Sequence, residues 1–305
     1  MNCFAVTGRI AAMKRGAFLG LAGSLPLMGI VTQSAREIAL PVELRGGRFF
    51  AVPMLVDGRD FACWLDTDGS GFIFADSVAR FALASRSVGP RTYARLPSFA
   101  PQRGVPPVVR DDGELAVFAK DARDAADPIL SGFDAQLGGS WFADRIWTLD
   151  FKKPSMTMAL TPLGAADANV PLAFDGVYPR LTVGVAGETL AMSLDIAASV
   201  AAAASPGGSA QAVATSFVRR AVFERWHSAH PDWRVDRNVS PSPGIDRILV
   251  PEVVSGGVTF AGVTFTTRPG DDVFEGGDLA GKLGSNAYAN RIVTIDYPNA
   301  RLRVE

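Results

Sequence analysis

The chain has 305 residues, 48% of them hydrophobic and 20% charged, enough apolar material to bury a substantial core in one large domain or two and to exclude a disordered chain. Lysine and arginine number 30 against 31 aspartates and glutamates, and neither sign runs in blocks. That balance excludes a polybasic groove for nucleic acid or a basic membrane patch, and leaves an electrostatically neutral partner.

Residues 1–35 read as an export signal. Lys14 and Arg15 precede "GAFLGLAGSLPLMGIV", an uncharged and mostly apolar stretch ending at Val31, and "TQSA" follows before the first acidic residue, Glu37. The run is shorter than the roughly 20 residues a spanning helix requires, so the expectation is a cleaved signal, an exported (periplasmic or secreted) protein and no stable membrane anchor. Only Cys3 and Cys63 occur, and Cys3 leaves with the signal. Cys63, in the apolar run "FACW" without a nearby histidine, reads as a packing residue rather than a nucleophile. No internal disulfide is then available.

The remainder contains a near-copy of itself. "GRDFACWLD" (Gly58 to Asp66) and "GETLAMSLD" (Gly187 to Asp195) share glycine, alanine, leucine and aspartate at one offset, 187 − 58 = 129. Each reads as a turn at glycine and a strand ending at aspartate. A longer pair closes each half: "LGGSWFADRIWTLDF" (Leu137 to Phe151) matches "LGSNAYANRIVTIDY" (Leu283 to Tyr297) at seven of fifteen positions, offset 283 − 137 = 146. Both copies run through a turn, "KKPS" or "PNAR", into a last strand, as a hairpin does. The expected organisation is an all-β fold with minor helices: a first lobe at 36–160, an Ala/Asp/Gly/Pro-rich linker at 161–176, and a second lobe at 177–305. One segment breaks the strand pattern. From Gln211 to Trp226 apolar residues fall on two columns at four-residue spacing, which predicts an amphipathic helix packed on the second lobe.

Two pseudo-symmetric lobes that each present one carboxylate at the end of an apolar strand can bring those carboxylates together. Like charges in contact cannot both ionise, so such a pair shares a proton and supplies a general base and a general acid from one repeated fold. Asp66 and Asp195 are the candidates. An isolated aspartate after a strand is ordinarily a turn residue that bonds its own backbone, and only the repetition argues otherwise. Asp150 and Asp296 also match each other, but they precede "FKKPS" and "YPNAR" and read as turn formers.

The apolar strand, the turns "LDTDGS" and "LDIAAS", and the closing blocks "QLGGSWFADRIWTLDF" and "KLGSNAYANRIVTIDY" resemble the aspartic peptidases, in particular the bacterial retropepsin-like proteins with two fused lobes, related in plan to pepsin. The resemblance implies two pseudo-symmetric β-barrel lobes with a cleft between them, Asp66 and Asp195 as catalytic dyad, and an extended peptide or protein as substrate. It implies no metal or organic cofactor, no nucleic acid and a monomeric chain. Thr67 would reach across to the other lobe's turn, Ser70 and Ser199 would support the carboxylates, Gly138 and Gly284 would pass behind the active-site turns, and a substrate-covering flap would lie near "RTYARLPSF".

The turns depart from the family pattern. Asp68 and Ala197 stand where glycine is expected, and Asp68 would add a third carboxylate that disturbs the shared proton. An alternative alignment treats Asp68 as an insertion before Gly69. Ile196 replaces the second threonine and has no hydroxyl to reach across. Two functions therefore stay open: a peptidase, or a non-catalytic protein that binds a peptide or another ligand in the same cleft. Other chemistries have less to stand on. His227 and His230 are the only histidines, Asp232 is their sole near neighbour as a third ligand, and they read as a solvated helix end. No G-x-S-x-G elbow occurs, and "SPGGSA" lacks the Lys-Ser/Thr of a phosphate loop.

Overall fold

Glycine turns between alternating apolar residues set the local structure of much of the chain. Tyr178–Val185 reverses at Ala186 and Gly187, both at positive φ (48° and 84°), and returns as Glu188–Asp195, paired antiparallel from Val185 opposite Glu188 to Arg180 opposite Ser193. The computed structural model describes residues 37–202, 211–268, 270, 274 and 278–305. The expected export signal and "SPGGSA" at 205–210 lie outside the described residues. Those described are mostly strand with short helices, the all-β class expected, and they belong to one compact unit.

Inside that unit the second half repeats the strand arrangement of the first. Cys63–Leu65 runs parallel to Ala135–Leu137, which lies antiparallel to Phe72–Phe74, itself parallel to Glu114–Phe118. Likewise Glu188–Asp195 runs parallel to Gly281–Gly284, which lies antiparallel to Ser216–Val218, itself parallel to Val258–Thr266. Leu65 stands opposite Leu137 and Leu194 opposite Leu283, so the two sequence offsets, 194 − 65 = 129 and 283 − 137 = 146, meet in one pair of neighbours.

The closing strands join the halves. Ile146–Asp150 and Ile292–Asp296 pair antiparallel with each other in a single sheet. Thr148 faces Thr294, its own repeat equivalent (294 − 148 = 146), with hydroxyls 3.1 Å apart. A strand that pairs with its own copy through equivalent residues marks a pseudo-two-fold axis at that point. The hairpin aspartates act as turn formers: Asp150 Oδ1 accepts from Lys152 N and Lys153 N, and Asp296 Oδ1 from Asn299 N.

The core runs through both halves, from Leu65, Leu137, Trp141 and Trp147 to Leu194, Leu283, Tyr288 and Ile295. Trp141 and Trp147 stack at 4.4 Å. Cys63 is a fully buried free thiol in this core, pushed up by burial and so unreactive, as a packing residue is.

Two expected elements differ. The helix is Arg220–Ala229, and the residues before it form the strands Gln211–Ala214 and Ser216–Val218. Val213 pairs with Val200 and Phe217 with Lys282, so cross-strand partners claim side chains whose spacing also suits a helix face. The linker is shorter than 161–176: Val170–Asp175 is a strand between Arg301–Val304 and Tyr178–Val185. Pro171 sits near the start of this strand, opposite Arg301 and before the pairing with Tyr178–Val185 begins at Leu172, where a missing N–H is tolerated.

Candidate active site

Asp66 leaves the end of Cys63–Leu65 with its N–H donated to Leu137 O at 3.0 Å, and Asp195 ends its own strand opposite Gly284. Both side chains are buried. Each carboxylate is held in the same way. Oδ1 accepts the backbone N–H two residues on, from Asp68 to Asp66 and from Ala197 to Asp195, both at 2.9 Å. Oδ2 accepts a side-chain donor from the residue before the Leu-Gly pair of the same half: Gln136 Nε2 at 2.9 Å on Asp66, and Lys282 Nζ at 3.3 Å on Asp195. Gln136 and Lys282 are themselves repeat equivalents, 282 − 136 = 146, one facing Trp64 and the other Ser193 across the parallel pairing.

Thr67 ties the halves together. Its fully buried hydroxyl donates to Leu194 O at 2.6 Å and accepts the Ile196 N–H at 3.2 Å. Ile196, buried without a hydroxyl, returns nothing. The reverse connection is made by Asp68, whose Oδ1 takes Arg180 Nη1 at 2.6 Å and whose Oδ2 takes Ser193 Oγ at 2.7 Å and Lys282 Nζ at 2.9 Å. The third carboxylate is therefore present and paired, and it still pushes Asp195 up. Its charge is engaged by two cations of the other half, and its residual repulsion on Asp66 is weaker than the effects of burial, Asp195 and Lys282.

The glycine role falls on Gly69, as the alternative alignment has it. A Cβ there would lie 2.5 Å from Gln136 Nε2 and closer still to Asp66 Oδ2. Gly138 passes behind this turn as expected: Gly139 N donates to Gly69 O at 2.9 Å, and a Cβ on Gly138 would meet Gly71 N at 2.5 Å and Ser70 C at 2.6 Å. Gly284 backs a different segment, since a Cβ there would lie 2.7 Å from Thr215 C. The chain between 199 and 214 leaves the second turn and returns as the strand pair Ser199–Ala202 and Gln211–Ala214, so Thr215, not Ser199, takes the place of Ser70.

The support expected from serine is also corrected. Ser70 is exposed and enters the site through its carbonyl, which accepts Gln136 Nε2 at 3.0 Å. Ser199 is buried, and its hydroxyl has no partner among the described residues. Gln136 and Lys282 do what the serines were expected to do, because longer side chains on the neighbouring strand reach the same carboxylate oxygens.

Burial pushes Asp66 well above the usual carboxylate range; the charge of Asp195 adds to this and Lys282 opposes it. Burial also raises Asp195, with Lys282 pulling it down and Asp68 pushing it up. Burial disfavours the Lys282 ammonium, and the Asp195 and Asp68 carboxylates more than offset it, so it stays charged. The two carboxylates therefore differ in surroundings: Asp66 is bonded by uncharged donors, and Asp195 has an ammonium beside it.

Two cavities, each about 290 Å³, meet at Lys282. One lies over Asp68, Gln136, Tyr178 and Arg180. The other exposes Asp66 and Asp195 beside Trp64, Ile129, Leu130 and Phe217. "RTYARLPSF" opens with Arg91–Arg95, which forms a hairpin with Ser85–Val88 around Gly89 and Pro90, yet neither cavity is lined by it. Residues 127–130, after the capped helix Ala122–Ala126, border the carboxylates instead. His227 lies in the last turn of its helix, and His230 ends it, stacked on Trp233 at 4.2 Å. Among the described residues no three His, Cys, Asp or Glu side chains cluster as metal ligands.

No protein-family model matches the chain, and no curated protein matches it. Among solved structures it is similar to basic 7S globulin from soybean, at 10% identity over 88% of this chain and 94% of that one, with a TM-score of 0.48.

Proposed function

We propose that the chain hydrolyses peptide bonds of an extended polypeptide with Asp195 as general base and Asp66 as general acid. Asp195 takes a proton from a water that attacks the peptide carbonyl while Asp66 gives its proton to the carbonyl oxygen. On collapse of the diol Asp195 returns its proton to the leaving nitrogen and Asp66 recovers one from the hydroxyl. The reading calls for no metal or organic cofactor. One observation carries it: two buried carboxylates stand at equivalent ends of a repeated strand, one held by neutral donors and the other by an ammonium. Export by the segment at 1–35 and action as a monomer are part of the same proposal.

A second reading, peptide binding without cleavage, is favoured by the Lys282 ammonium 3.3 Å from Asp195 Oδ2, which weakens that base, and by the missing hydroxyl at Ile196. Digestion of a peptide library from acid to neutral pH separates the two. Cleavage by the wild type and not by Asp66→Asn or Asp195→Asn supports hydrolysis; equal turnover in all three excludes the pair; saturable binding without turnover in any of them supports the second reading.

A further inference from the structure

We infer that Lys282, held in place by Asp68, is a positioning residue that makes Asp195 the ionised and Asp66 the proton-bearing member of the pair; in its catalytic consequence this rests on the hydrolytic reading above. The geometry that carries it is a broken symmetry. Each carboxylate ends the equivalent strand and accepts the backbone N–H two residues on, from Asp68 or Ala197, but the side chain on its Oδ2 differs: Gln136 is a neutral amide and Lys282 a cation.

Charge balance leads to the same assignment. Asp66, Asp68 and Asp195 bring three carboxylates into one buried cluster, and Arg180 and Lys282 bring two cations. Both cations bond Asp68 or Asp195 directly, and Arg180 adds only a longer contact, 3.6 Å, to the exposed Asp175. Asp66 alone is bonded by uncharged donors. A buried cluster is costly unless its charge closes, so the one proton that neutralises it belongs on Asp66. The other groups facing the cluster do not change this. Burial, with Asp66 and Asp68 adding to it, holds the Tyr297 phenol protonated, and Asp127 and Arg268, one of each sign, line the same cavity as the two carboxylates.

Asp68 is then the anchor that keeps the ammonium on Asp195 rather than between the two carboxylates, and the departure from glycine at this position follows from the lysine. Asp68 and Lys282 come as a unit.

The test is the titration of the aspartate side-chain carboxyls by ¹³C NMR in the full mature protein, with assignments from Asp66→Asn and Asp195→Asn, together with Lys282→Gln, which copies the Gln136 donor, and Lys282→Arg, which keeps the charge. In the wild type Asp195 is expected to ionise at lower pH than Asp66. In Lys282→Gln the Asp195 midpoint rises by about one pH unit or more, the size of shift an opposite charge at this range produces. Lys282→Arg returns it. The acid limb of the kcat/KM profile follows the same order, which a merely structural role of Lys282 would not produce. An Asp195 midpoint unmoved in Lys282→Gln, or an Asp66 carboxyl that ionises before Asp195 in the wild type, overturns the inference. Absence of peptide cleavage by a wild type that titrates as described would sink the hydrolytic reading and leave this one standing.

Discussion

Replacing Asp68 by glycine removes a third carboxylate from beside Asp66 and Asp195, a change that an ungapped reading of the turn favours. The structure gives the opposite sign. The Asp68 carboxylate is 5% exposed and bonds Arg180 at 15% and Lys282 at 14% exposure, at 2.6 and 2.9 Å, with Ser193 Oγ as a third donor at 2.7 Å. Removing one partner of a buried ion pair costs about 3–5 kcal/mol because the other charge stays buried. Lys282 keeps Asp195, and the repulsion of Asp68 on Asp66 disappears, which together recover part of the loss. The net expectation is a destabilisation of about 2–4 kcal/mol, or roughly 4–7 °C in Tm for a unit of this size. Urea unfolding at pH 7 measures it, with unchanged m reporting an unchanged denatured state. Asp68→Gly within about 0.5 kcal/mol of the wild type, the range of an ordinary surface substitution, would refute the reasoning.

Thr67→Val keeps the volume and removes the hydroxyl, so Leu194 O and the Ile196 N–H both lose a buried partner; denaturant unfolding should register a loss of about 1–3 kcal/mol. Gly138→Ala forces a methyl against the backbone of Gly69, Ser70 and Gly71, where no rotamer relieves it, and is expected to cost about 3 kcal/mol or more. The pH dependence follows from Asp66. Its folded-state pKa lies above the unfolded one, so between those values the folded chain holds a proton that unfolding releases. Its contribution to stability is complete below the ordinary carboxylate range and is lost as pH rises through the folded value, with a slope approaching about 1.4 kcal/mol per pH unit. Asp66→Asn should lack this component. A wild type and variant whose stability curves run parallel across that window would contradict the raised pKa.

The parts of this site that could be read from sequence are those that the repeat duplicates. Asp66 and Asp195, and the glycines of the closing blocks, stand at fixed offsets, and the closing strands that carry Thr148 and Thr294 lie on the axis that relates them. Gln136 and Lys282 were inside the same blocks at the same offset, and the available signal was the charge itself. A lysine between Gly281 and Leu283 of a largely buried strand requires anions, and Asp68 supplies one. Reading Asp68 only against a family pattern hid that. Arg180 and Ser193 were out of reach, because their partnership depends on the register of Tyr178–Val185 against Glu188–Asp195 and on how that hairpin meets the other half. The helix starts later than four-residue apolar spacing predicts, because residues four apart share one face of a strand as well as of a helix.

The most direct measurement of the central claim is kcat/KM for peptide cleavage by the wild type, Asp66→Asn and Asp195→Asn at matched folded concentration. The account predicts cleavage by the wild type and a loss of at least about 100-fold in each variant. Cleavage that survives undiminished in either variant would contradict it.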